Sequence, residues 1–174
     1  MDKDRKYQFN WSLLGNVSEG RPNLGQMMRV EVYRLMQYCF RDILEDRYGN
    51  READEITYQA GFLAGKHFYD QMIGTIEGIG DLVKKLQAAL KDLGIGILRV
   101  EEHDEKTGRI VMTVSEDLDC SGLPQLSYEV CTYDEGFIAA ILESALSKKF
   151  NVKEIDCWCT GDRTCRFQAT PADD

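Results

Sequence analysis

Apolar residues recur at three- and four-residue steps in four stretches of the chain, and each such stretch predicts an amphipathic helix. The first runs over 28–47, where Val32, Leu35, Met36, Cys39, Phe40, Ile43 and Leu44 form one stripe that should be buried. Gly49-Asn50 stops it. The second covers 51–72 with Ile56, Ala60, Leu63, Ala64, His67 and Phe68, and carries Gly61 and Gly65 four apart, a spacing that lets another backbone come close. The third spans 76–93 through Ile79, Leu82, Val83, Leu86 and Leu90, with Gly94 after it as a stop. The period then changes. Residues 95–102 and 109–114 are β-rich, and the segment between them ends in Thr107-Gly108, a hairpin signal. A third strand is expected over 125–132. A fourth helix follows over 134–149 on Phe137, Ile138, Ile141, Leu142, Ala145 and Leu146. Residues 152–158 and 165–169 read as a closing hairpin. Helices first and strands second, with one helix among the strands, give an α+β fold whose antiparallel sheet packs on a helical layer.

Residues 1–25 contain Trp11, Leu13 and Leu14 and end in the turn-rich GRPNLG, which suits an arm docked on a domain covering 26–170. The 174 residues, 43% of them hydrophobic, suffice for one ordinary core. The start, MDKDRKYQFN, is polar and lacks the apolar stretch of a signal peptide, and the longest apolar runs are too short to span a bilayer. A cytoplasmic protein is expected. The net charge of −9 disfavours nucleic acid as a direct partner, and an anionic membrane surface equally.

Three of the six cysteines, Cys157, Cys159 and Cys165, fall within nine residues around a Gly161-Asp162 turn. A cytoplasmic chain with a real core does not need disulfides, so clustered thiols point to metal chemistry. Zinc takes four donors in a tetrahedron. Cys131, just before the 134–149 helix, and Glu154 complete the candidates. Two sets are open: Cys131, Glu154, Cys157 and Cys165, or the same with Cys159 in place of Glu154. In a flat strand Glu154 and Cys157 point to opposite faces, so they share a metal only if the chain curls between them. Cys39 reads as a core thiol and Cys120, in the polar DLDCSG, as a loop thiol.

The stretch EIDCWCTGDRTCRF, with YQAGFLAGKHF upstream, resembles the 4-vinyl-reductase-type domain, a small-molecule-binding family. The resemblance covers roughly residues 25–170. The family includes input domains of aromatic-sensing bacterial activators and an accessory protein of bacteriochlorophyll synthesis, and its fold is similar to TRAPP vesicle-tethering subunits. In phenol-sensing relatives a structural zinc sits on a cysteine, a glutamate and two cysteines. The resemblance therefore implies zinc on Cys131, Glu154, Cys157 and Cys165, with Cys159 beside it. A set of four protein donors leaves no open position, which makes the metal structural.

A small apolar or aromatic ligand is expected in a chamber lined by Tyr33, Met36, Phe40, His67, Phe68, Met112 and Trp158. The resemblance also implies a homodimer, for which the Gly61/Gly65 surface and the Trp11 arm are candidate contacts, and an output domain or partner that reads the bound state. No catalytic set stands out: the two histidines lie on different elements, and no Gly-rich phosphate loop follows a strand. Sensing is therefore favoured over catalysis. The alternatives are a tetrapyrrole-handling or vinyl-reductase accessory protein, and a tethering scaffold.

Overall fold

The computed structural model describes residues 6–172. A 3₁₀ turn (Trp11–Leu14) and a short helix α1 (Val17–Gly20) precede three longer helices, α2 (Val30–Tyr48), α3 (Asn50–Phe68) and α4 (Ile79–Asp92). Strands β1 (Ile97–His103) and β2 (Ile110–Ser115) follow, then α5 (Thr132–Leu146), β3 (Phe150–Asp156) and β4 (Cys165–Pro171). The sheet order is β1-β2-β4-β3, and every neighbouring pair is antiparallel. The α+β expectation holds. No helix among the described residues is long and apolar enough to cross a membrane. The first five residues of the expected arm lie outside the described residues.

The chain breaks where its turn chemistry says it should. Gly49 takes φ 81°, a left-handed conformation that costs glycine little, and the helix ends there. At the hairpin tip, Asp104 accepts backbone N–H bonds from Lys106 and Thr107, an Asx turn that reverses the chain between β1 and β2.

The core lies between the sheet, α4 and α5. Leu82, Leu86 and Leu90 of α4 face Leu98, Ile110, Met112 and Val114 of the sheet, and Phe167 is fully buried on β4. Ion pairs of Arg166 with Glu101 and Asp156, and of Arg109 with Glu102, run across the strands outside this core. Helix α5 is central, being covered by α3 on one side and packed against the sheet on the other.

The α3–α5 contact is made backbone to backbone. A Cβ built at Gly61 would collide with the Tyr133 carbonyl oxygen, and one at Gly136 with that of Tyr58. Gly65 meets Phe137 in the same way. The small-residue pair of α3 thus serves an internal helix contact. This corrects its assignment to a dimer surface, because Gly61 and Gly65 are already covered by α5.

Two further expectations are corrected. Residues 125–131 form no strand; they run as a loop whose Leu126 N–H donates to the Cys159 carbonyl at 2.8 Å. Their β-rich composition fits an extended loop equally well, because a strand exists only where a partner pairs with it. Helix α2 buries none of its residues, and its apolar stripe faces outward. The opposite face docks instead, through polar bonds. The Tyr33 hydroxyl donates to Asp119, Gln37 Nε2 donates to the same carboxylate, and Arg34 donates to the carbonyls of Leu118, Asp117 and Ser121.

A candidate metal centre beside an apolar cavity

Four thiols converge where the loop after β2, the start of α5 and the terminal hairpin meet. The sulfurs of Cys120, Cys131, Cys157 and Cys165 all lie within 4.8 Å of one another, and all four residues are buried. Cys131 and Cys165 are 3.7 Å apart, and Cys120 and Cys165 are 3.0 Å apart. Both separations are far longer than a disulfide bond. Four sulfurs about 2.3 Å from a zinc ion sit roughly 3.8 Å from one another in a tetrahedron, so the cluster fits such an ion closely.

Each thiol is placed by local chemistry. The sequence reading leaves Cys120 out of the site, as a loop thiol. It is completely buried, because Asp117 Oδ1 accepts the backbone N–H groups of both Asp119 and Cys120 and winds the loop inward. The motif Asp-Leu-Asp-Cys is the signal that points to this Asx turn. Cys131 is the N-cap residue of α5, where partial positive charge favours a thiolate. Cys157 caps the 3₁₀ turn (Trp158–Thr160) that leads into the left-handed Gly161. Cys165 begins β4.

Glu154 is 3% exposed. A register shift between Glu154 and Asp156 bulges β3 at Ile155, which faces outward, so Glu154 and Cys157 both turn inward. The chain curl that the strand-parity argument required is this bulge. Glu154 Oε2 accepts the Cys131 N–H at 3.3 Å, and Glu154 Oε1 is buried without a hydrogen-bond partner. Burial, then the charge of Cys157, pushes the carboxyl up to about 8. The carboxyl interacts with the thiols of Cys131, Cys157 and Cys165, the same three that Cys120 contacts. The site therefore offers three shared thiols and two competing fourth donors. Cys159 is fully buried beside the cluster and is not among the four convergent thiols; burial pushes it up to about 12. Without a metal the thiols compete for charge: hydrogen bonds from Cys120, Cys131 and Cys165 lower Cys157, while those from Cys120, Cys157 and Cys165 raise Cys131.

The fourth donor can be separated by substitution. If Glu154 completes the set, Glu154→Gln should weaken metal retention at least tenfold in a competitive chelator titration, while Cys120→Ser keeps one metal per chain. The reverse pair of outcomes assigns the position to Cys120.

Acidic groups continue from the cluster toward the cavities. Asp117, Cys131 and Asp134 place one donor atom each within 4.8 Å of one another. Burial and the charge of Asp119 push Asp117 up to about 7. Burial also raises Asp134, whose Oδ2 has no partner. Asp134 lies at the join of two cavities. One, between α4, α5 and the sheet, is lined by aliphatic side chains and Met112. The other, of about 570 Å³, lies between the N-terminal segment, α3 and α5, with Phe9, Trp11, Leu63, Phe68 and Phe137 on its walls. Tyr33, His67, Asp119 and Asp134 are its polar groups, and the Phe9 ring meets His67 edge-on at 4.9 Å.

The structure divides the chamber residues read from the sequence. Tyr33, His67 and Phe68 line the larger cavity and Met112 the smaller. Met36 and Phe40 line neither; they are 56% and 66% exposed, because α2 docks by its polar face. Trp158 lies by an open surface hollow with Arg34 and Arg163, and its indole N–H donates to the Leu123 carbonyl at 3.0 Å. The acidic trio Asp117, Asp119 and Asp134 is not found from the sequence, where these residues read as loop polarity and first-turn helix acids.

The family model of the vinyl-4-reductase domain matches residues 110–171, which contain every candidate metal donor. Two uncharacterized proteins of Methanocaldococcus jannaschii are 28% and 30% identical over 103 and 90 residues. These alignments cover 59% and 52% of this chain and 58% and 53% of those proteins. The chain thus spans about half the length of the curated relatives it matches. A vinyl-4-reductase family protein from the same organism superposes with a TM-score of 0.59 at 17% identity, covering 86% of this chain and 85% of that one. The phenol-responsive sensory domain of the transcription activator PoxR, solved with phenol, gives 0.66 at 15%, covering 84% and 76%. A trafficking protein particle complex subunit 3 from Naegleria fowleri, covalently bound to palmitic acid, gives 0.67 at 12%, covering 83% and 95%. At these identities the structural likenesses speak to the fold. The resemblance read from the terminal hairpin holds: residues 110–171 match the vinyl-4-reductase domain, in a fold shared with sensory and TRAPP-type chains.

Proposed function

We propose that this chain is a metal-stabilised ligand-binding domain of the sensory type, which takes a small apolar or aromatic molecule into the cavity between the N-terminal segment, α3 and α5. The observation that carries the reading is that cavity. A volume of about 570 Å³ walled by aromatic and aliphatic side chains, with a few polar groups at one side, has the size and composition of a small-molecule site. Phe9, Trp11 and Leu14 form one wall, so the segment that covers the ligand precedes the domain core in sequence.

Zinc on Cys131, Glu154, Cys157 and Cys165 belongs to this reading, with Cys120 as the competing fourth donor. The orphaned Oε1 of Glu154 supports it: a buried carboxylate oxygen without a donor is costly, and a cation would satisfy it. Such a metal would tie the loop after β2 and the start of α5 to the terminal hairpin, beside the acidic end of the cavity. Its chemistry would be structural, since four protein donors leave no place for water. The remaining parts are a cytoplasmic homodimer and an output domain or partner that reads ligand occupancy.

The test is ligand capture. Native mass spectrometry of the purified protein should show a co-purified small molecule, or phenols and alkylbenzenes should raise its melting temperature. Widening of the cavity wall by Phe137→Ala should change which of these probes stabilises it most. A protein with no bound molecule and no response to any probe overturns the reading.

A further inference from the structure

Helix α2 is amphipathic in the inverted sense. Its polar side holds it to its own chain, and Val32, Leu35, Met36, Cys39, Phe40 and Ile43 face solvent. Leu35 is 68% exposed. A folded domain rarely leaves such a stripe uncovered, because a contiguous apolar patch marks an interaction surface.

The order of the stripe says what covers it. Its positions, 32, 35, 36, 39, 40 and 43, read the same in both directions about a point between Gln37 and Tyr38. Two copies laid antiparallel across a two-fold axis at that point would oppose Val32 to the partner's Ile43, Leu35 to the partner's Phe40, and Met36 to the partner's Cys39. A self-complementary patch of this kind is the requirement of a two-fold interface. The alternating three- and four-residue steps 29, 32, 36, 39, 43 and 46 are those of helix pairs that interlock side chains.

Charge fixes the direction. Arg29 and Asp46, both exposed, close the two ends of this seam. Antiparallel pairing sets Arg29 against the partner's Asp46 at each end. Parallel pairing would set arginine against arginine and aspartate against aspartate, which is repulsive. The area also suffices. A helix of 19 residues is about 28 Å long, and six large side chains give roughly 600 Å² per copy, or about 1,200 Å² in all, the lower range of specific interfaces.

We propose that the exposed face of α2 is a homodimer interface in which two α2 helices pair antiparallel about the Gln37–Tyr38 midpoint. This rests on the homodimer part of the proposed function and is independent of the ligand and the metal.

The experiment joins sedimentation to thiol cross-linking. The protein should sediment as a dimer at micromolar concentration. In the Met36→Cys variant, mild copper-phenanthroline oxidation should give a covalent dimer joining the new thiol to Cys39 of the partner subunit, and Cys39→Ala in the same background should reduce its yield several-fold. The Val32→Cys variant should cross-link poorly, because its thiol faces Ile43 of the partner subunit. Leu35→Lys with Phe40→Lys should weaken dimerisation at least tenfold while metal content and circular dichroism stay unchanged. A protein that sediments as a monomer overturns both the dimer and this surface. A dimer that the Met36→Cys variant does not cross-link, or one that Val32→Cys cross-links better, overturns the surface alone.

Discussion

Replacing Gly136 by alanine should leave little folded protein. The added methyl would collide with the Tyr58 carbonyl oxygen and sit 2.9 Å from the Phe62 nitrogen, both backbone atoms of α3. Neither can rotate away, so α3 and α5 must separate, and α5 carries the approach to Cys131 at its start. A loss of about 3–5 kcal/mol is expected, the upper range for one substitution. Urea unfolding followed by circular dichroism measures it. Gly80→Ala is the control: nothing lies within 4 Å of its built Cβ and it opens α4, so alanine should stabilise the protein by about 0.5–1 kcal/mol. An unchanged midpoint for Gly136→Ala would mean that α3 and α5 do not meet backbone to backbone.

Stripping the metal should have the second large effect. Four buried donors that converge from three separate parts of the chain lose their common partner, and binding energy at a structural site is coupled to folding. A cost of about 5 kcal/mol corresponds to a drop of roughly 10–20 °C in melting temperature for a chain of this length. Scanning calorimetry of protein treated with a strong chelator, and again after zinc is restored, checks both the loss and its recovery. Equal melting temperatures would remove the structural role.

The sequence carries its information unevenly, and the reasons are physical. Periodicity places α4 and α5 well because their apolar faces are the core-facing ones. The same periodicity finds the stripe on α2 and sets it on the wrong side. A helical repeat says which residues share a face; it does not say whether the cover comes from the same chain. The six polar bonds from α2 to residues 117–121 are what orient it, and they join positions about 80 apart in sequence.

The metal donors show a similar division. The hairpin thiols Cys157 and Cys165 announce themselves by spacing. Cys120 depends on a turn set by Asp117, and the inward turn of Cys157 after Glu154 depends on a bulge at Ile155. A one-residue register shift reverses every side chain beyond it, so parity counted along the sequence reverses too. Cavity residues are legible only in part, because a pocket is the space left between elements, and an inward-facing α2 draws that space in the wrong place.

Zinc-edge X-ray absorption of the purified protein tests the central claim most directly, since it counts donors by element and distance. The account predicts about one zinc per chain with three sulfurs near 2.3 Å, from Cys131, Cys157 and Cys165, and one oxygen near 2.0 Å, from Glu154. Four sulfurs and no oxygen would contradict the place given to Glu154 and hand it to Cys120; protein without bound metal would contradict the centre itself.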